Sequence, residues 1–234
     1  MDSHGEPSAC RPHAMRAFTL ALEELGTTRG LVRAAAALAL HEQPDAAVGS
    51  VHAQIGALAA RIRARCATGT PQALLAHAHA LLFEDEGFRG DQEDYHATRN
   101  SYVHSVLERR RGMPITLALV YKAVLEELAI PVQGIGAPGH FLAAVEVEGR
   151  QAYVDVFHGG EVLTLVEACA RVSRVLGQPV DPDPALMPPC SHASWLRRML
   201  RNLQSGFQRA QRPECVHAMQ ELELVLEFHL RRRD

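Results

Sequence analysis

Arg111-Gly112-Met113-Pro114-Ile115-Thr116 is the stretch on which the reading of this chain turns. Pro114 suits the first position of a helix, because a helix start leaves that N–H unpaired anyway and the proline φ is already helical. Leu117, Val120, Tyr121, Val124, Leu125 and Leu128 then recur at helical spacing, until Ile130-Pro131 ends the run. The period next changes to that of strands. Residues 132–135, 141–147 and 151–156 predict three strands, with Glu148-Gly149-Arg150 as a hairpin turn. His140 stands just ahead of the second strand and Asp155 near the end of the third. The two are expected to approach within hydrogen-bonding range, since they stand on consecutive strands joined by that hairpin. Because the pair is offset across the hairpin, the approach is diagonal, and a bulge near Ala143-Ala144 would shorten it.

Working outward, the first half is helical. Helices are expected from about Ala17 to Leu25, from Leu31 to Leu40, from Val51 to Ile62 and from Pro71 to Leu82, the last with Thr70-Pro71 as its start. Residues 83–100 are polar and read as a loop, and 102–110 as a short helix, with Asn100 and Ser101 as caps for it. Beyond the strands, 164–175 is helical, 181–189 is proline-rich, and 195–208 and 215–230 form a last helix pair. The fold class is α+β. The expected organisation is a disordered terminus over 1–12, a helical region plus a small antiparallel core over 13–180, a linker over 181–189 and a helix pair over 190–234.

Composition narrows the function classes. The chain has 234 residues, 47% of them apolar, and a formal net charge of −3. That is enough for a real core, and it lacks the basic footprint of nucleic-acid or anionic-membrane binding. The most basic run, Arg109-Arg110-Arg111, reads as a solvated or salt-bridged helix end. No apolar run reaches the roughly 18 residues of a membrane span, and residues 1–12 contain no apolar signal segment. The five cysteines are widely spaced without a C-x-x-C, which argues against a disulfide framework or zinc site and for a reducing compartment, the cytoplasm by default.

Several motifs together resemble one family. Leu82-Phe83-x-x-x-Gly87-Phe88-x-Gly90, Asn100-Ser101-Tyr102, Val106-Leu107-Glu108-Arg109-Arg110 and Gly112-x-Pro114-Ile115-Thr116-Leu117 come first. Pro138-Gly139-His140-Phe141, Asp155-x-Phe157-His158-Gly159-Gly160 and Arg198-Met199-Leu200-Arg201-Asn202-Leu203 follow in order. The set is similar to the SirB-type branch of the transglutaminase-like superfamily, from about residue 31 onward. The resemblance implies a helical N-terminal half, a transglutaminase-like (papain-like) core and a TPR-like helical tail, without a settled activity. Val156 departs from it, since relatives are expected to carry Pro there. The tail holds little more than one helix pair, short of the roughly three units that stable repeat stacks need.

The same resemblance makes the site a question of chemistry. Acyl transfer on such a core uses a thiolate at a helix N-terminus, a His that lowers its pKa and an Asp that orients the His. Pro114 occupies the cysteine position and supplies no nucleophile, while His140 and Asp155 match the other two members. Thr116 is the nearest hydroxyl and is expected to bond back to its helix or pack. Asn100, Ser101, Gly139 and His158 are expected to line the site. His158 with His140 and Asp155 would make a metal-ligand set, but a turn at Gly159-Gly160 argues against a preformed one, so no metal and no cofactor is expected. Two functions compete: a non-catalytic regulatory or interaction protein with a protein or peptide partner, and a hydrolase or lyase on an amide-like substrate using His140 and Asp155.

Overall fold

The computed structural model describes residues 8–147 and 149–232. Four helices come first: α1 (Pro12–Leu22), α2 (Thr28–Ala37), α3 (Val51–Arg65) and α4 (Pro71–His79), the last running on into a π-helical turn at Ala80–Asp85. Their starts follow from local chemistry. Thr27 Oγ1 accepts from Gly30 N at 3.0 Å and Thr70 caps α4 ahead of Pro71. Gly30 is needed for space, since a Cβ there would lie 2.0 Å from Glu24 O.

Next come β1 (Arg89–Gly90), α5 (Val103–Arg109), β2 (Arg111–Gly112) and α6 (Pro114–Glu126). Pro114 is the first residue of α6, as expected. Every residue from Pro114 to Leu125 is buried, not only the expected face. A helix apolar all round is a core helix, and α6 packs against α2, α3 and α5 and also against the main sheet and the helix His192–Arg209. Its one internal cation, Lys122, is satisfied by Val132 O at 2.6 Å and by Glu126.

The main sheet contains β3 (Gln133–Ile135), β4 (Leu142–Val147), β5 (Arg150–Asp155), β6 (Glu161–Leu163) and β7 (Pro189–Cys190), in the order β6-β5-β4-β3-β7, all antiparallel. The strand alternation divides its side chains between two layers. Ala143, Val145 and Val154 join the core around α6, while Leu142, Ala144 and Tyr153 join α7 (Leu165–Leu176) through Ala168, Cys169 and Val172. Thr164 and Glu167 close a reciprocal capping box at the start of α7. α8 (His192–Arg209) and α9 (Pro213–Arg231) lie against each other.

Several expectations need correction. Residues 8–10, expected within a disordered terminus, are tied to α9: Ser8 Oγ, Ala9 N and Cys10 N donate to the Glu221 carboxylate at 2.6, 2.9 and 2.9 Å. The remainder of that stretch, 1–7, lies outside the described residues. The loop expected over 83–100 contains the π turn, β1 and a 3₁₀ turn at Thr98–Ser101, and β1 pairs in parallel with β2. Pro189, expected to end a linker, pairs with Ile135 on a sheet edge, where a missing N–H is tolerated. α8 shares the main core through Trp195, whose ring fills the space above Gly134 and whose Nε1 donates to Ile115 O at 3.2 Å. Asn100 and Ser101 do not cap α5, whose N-cap Tyr102 makes no side-chain cap bond.

Candidate functional site

Three chain segments converge ahead of α6. The first is the Asn100 turn. Asn100 is fully buried; its Nδ2 donates to Asp94 O at 2.7 Å, its Oδ1 accepts from Arg109 Nη1 at 2.9 Å, and its carbonyl accepts Met113 N at 3.0 Å. It thereby fixes the entry to α6. Ser101 is buried beside it and donates to Met113 Sδ at 3.2 Å. Thr116 is fully buried in the first turn of α6, and its Oγ1 has no partner among the described residues. The expected bond back to the helix is absent, so Thr116 packs.

The second segment carries the histidine. Gly139 has φ +68°, and a Cβ there would come within 2.8 Å of Val175. Arg198 holds the same turn from α8, donating through Nη2 to Ala137 O at 3.2 Å and His140 O at 3.1 Å. His140 is buried at 6% exposure. Its Nε2 lies 3.1 Å from Asp155 Oδ2. With Nε2 protonated, Nδ1 is the acceptor nitrogen. Nδ1 makes no hydrogen bond among the described residues and is not sealed from solvent.

The third segment is the end of β5. The ladder runs without a bulge from Val147↔Arg150 to Ala143↔Val154, so His140 reaches Asp155 diagonally across a regular register. Asp155 has no exposed surface and five donors. Phe157 N and His158 N reach Oδ1 at 3.2 and 3.3 Å, capping the 3₁₀ turn Val156–His158. Oδ2 takes His140 Nε2, His158 Nδ1 at 2.9 Å and Arg171 Nη1 at 3.0 Å. Burial would raise the Asp155 pKa, but the hydrogen bonds and charges of His140 and His158 outweigh it and hold the carboxyl down at about 2.

That turn corrects the expectation for His158. Asp155 caps the turn and so brings His158 back onto its own carboxylate. His140, Asp155 and His158 offer ligand atoms within 4.8 Å of one another, a two-His, one-carboxylate set. Yet Oδ2 already faces the Arg171 guanidinium, whose charge opposes a divalent cation at that oxygen. Arg171, which also pairs with Glu161, is the member that sequence reasoning missed. Its one signal was an arginine within the apolar stripe of α7, between Ala168 and Val172.

Residues 49–201 match the family model described as the transglutaminase-like superfamily. The chain belongs to the transglutaminase-like superfamily. A UPF0162 protein of Xylella fastidiosa (strain 9a5c) is 38% identical over 141 residues, covering 59% of this chain and 50% of that protein. F-box only protein 21 of Mus musculus is 33% identical over 137 residues, covering 55% of this chain and 21% of that protein. A UPF0162 protein of Vibrio cholerae is 35% identical over 80 residues, 34% of this chain and 30% of that protein. The chain thus spans about half the length of the Xylella relative. No solved structure matches. The five free cysteines belong to elements other than the α6 start: Cys10 beside α9, Cys66 after α3, Cys169 under the sheet, Cys190 on β7 and Cys215 on α9. No helix among the described residues is long and apolar enough to cross a membrane.

Proposed function

We propose that this protein is a non-catalytic regulatory or interaction protein, built on a transglutaminase-like core that has lost its nucleophile. The observation that carries the reading is Pro114 at the first position of α6, with none of the five cysteines on that helix or in the turn ahead of it. Proline supplies the helix start and no attacking atom. The state of Asp155 supports the same reading. Its Oδ2 is committed to Arg171 and His158 as well as His140, which suits a carboxylate that ties β5, α7 and the His140 turn together. On this reading the SirB-type assignment and the TPR-like character of α8 and α9 belong to the proposal, as does a protein or peptide partner met in the cytoplasm.

One observation favours a second reading, a hydrolase or lyase on an amide-like substrate. His140 Nδ1 carries no hydrogen bond while Nε2 is held by Asp155, the arrangement of an oriented general base. A screen of amidase, esterase and transamidation substrates separates the two. The parent, the His140→Ala variant and the Pro114→Cys variant are assayed with and without iodoacetamide. The expected result is no turnover by the parent, iodoacetamide or not. Turnover by the parent that His140→Ala abolishes would refute the non-catalytic reading.

A further inference from the structure

A cavity of about 540 Å³ opens beside His158, lined by the Val156–His158 turn and by β1 and β2. Its volume lies within the roughly 300–1,000 Å³ range of ligand pockets. Phe83, Phe88 and Phe157 supply aromatic walls, and Arg89 and Arg111 supply charge.

The two arginines are the unusual part. β1 and β2 run parallel with Arg89↔Arg111 as direct partners, so the two arginines leave the ribbon from backbone positions about 5 Å apart across the ladder. Like charges placed opposite one another destabilise a strand pair. Their neighbours are treated differently. Arg109 is paired with Asp91 at 2.7 Å and Arg110 with Glu86 at 2.7 Å. Arg89 and Arg111 have neither hydrogen bond nor ion pair from their side chains among the described residues. The acidic side chain on this cavity is Glu93, which is exposed and leaves one positive charge uncompensated. The basic run Arg109-Arg110-Arg111 is therefore two-thirds salt-bridged, and its third member faces the cavity.

The walls are shaped around this pair. Gly90 lacks a Cβ where one would lie 2.3 Å from the Phe157 ring, so the ring can lie directly on the ribbon. Gly160, at φ +77°, gives Phe83 the same room: a Cβ would lie 2.1 Å from its Cδ2. Phe83 itself stands in the π-helical turn Ala80–Asp85, a form that occurs mostly where a local need outweighs its cost. Aromatic walls with a guanidinium pair at one side match a ligand that joins an apolar ring or chain to an oxyanion, because guanidinium binds carboxylate in a planar, two-bond geometry.

We propose that this cavity binds an acidic peptide segment, with a carboxylate held between Arg89 and Arg111 and a neighbouring apolar side chain against Phe83, Phe88 and Phe157. This deepens the interaction reading above and rests on it in taking a peptide as the partner.

The test uses the full chain with two probe peptides, acetyl-Phe-Glu-amide and acetyl-Phe-Gln-amide, and with phenyl phosphate. Affinities are read by NMR titration, with the backbone amides of Gly90 and Gly159 as local reporters. The glutamate peptide is expected to bind saturably and shift both amides. Arg89→Gln and Arg111→Gln should each weaken it about tenfold or more, the loss expected for a charge-assisted bond. Arg201→Gln removes an exposed arginine paired with Glu223 and should leave binding unchanged. Trp195 emission verifies that each variant is folded. Absence of glutamate-peptide binding, equal binding of the glutamine peptide, or insensitivity to both cavity arginines would overturn the proposal. Tighter binding of phenyl phosphate would overturn the carboxylate assignment. These failures are separable from that of the parent reading: turnover by the parent refutes the non-catalytic role, whereas loss of the glutamate-specific signal refutes the cavity.

Discussion

Replacing Asp155 with Asn keeps the shape of the side chain and removes its charge, and the consequences can be worked out from the geometry. Oδ2 accepts from His140, His158 and Arg171, all donors, so an amide group on that side sets donor against donor. Arg171 is buried at 8% exposure and would keep Glu161 alone as its acidic partner. Removing one partner from a buried charge pair costs about 3–5 kcal/mol. For a chain of this length that is a fall in melting temperature of roughly 6–20 °C. The pH dependence provides a second, independent reading. The Asp155 carboxyl is held at about 2 in the folded state against an ordinary 3.8. Its contribution, about 2 kcal/mol, is therefore complete above the unfolded value and is lost as pH falls from about 4 through about 2. The Asn variant lacks this dependence, so the gap between parent and variant should shrink in acid. Urea unfolding followed by fluorescence suits the measurement, because Trp195 is the single tryptophan and is fully buried against Phe141. A difference below about 1 kcal/mol at neutral pH, which is the size of an ordinary substitution, would refute the view that this carboxylate ties the three segments together.

Other outcomes follow from the same reasoning. His79 is bonded to Tyr121 at 2.8 Å and burial lowers its pKa to about 4, so the neutral form is the folded one. Stability should be full above the unfolded value of 6.5 and fall by about 3 kcal/mol as pH drops through about 4, a loss that a His79→Leu variant should not show in urea titrations. Gly134→Ala would put a Cβ 2.1 Å from the Trp195 ring, so a loss of about 1–3 kcal/mol with a red-shifted emission is expected, and an unchanged melt would contradict the packing. Truncation at Pro189 removes α8 and α9 from the shared core and should lower the melting temperature and raise dye binding to apolar surface, which calorimetry and fluorescence would detect. Iodoacetamide should leave any turnover unaffected, since proline rather than cysteine opens α6; thiol-dependent hydrolysis of a peptide would contradict this.

Much of this protein was legible in its sequence because the signals are local. Thr70-Pro71, the Thr164 capping box and Pro114 at the start of α6 act within one helical turn, and the change from helical to alternating period announced the β3–β5 region. The meeting of His140 and Asp155 followed from hairpin geometry and from the resemblance to a known family. What the tertiary structure alone decided are the juxtapositions of distant segments. Arg171 reaches Asp155 only because α7 packs on the outer face of the sheet. α6 is buried all round only because α8 returns to cover it, with Trp195 seated on Gly134. Arg89 and Arg111 become neighbours only through a two-residue parallel ribbon too short to show a period. The physical reason is common to all three: capping and periodicity are interactions within a few residues, whereas the partners of a buried charge are chosen by packing, which joins residues far apart in the chain.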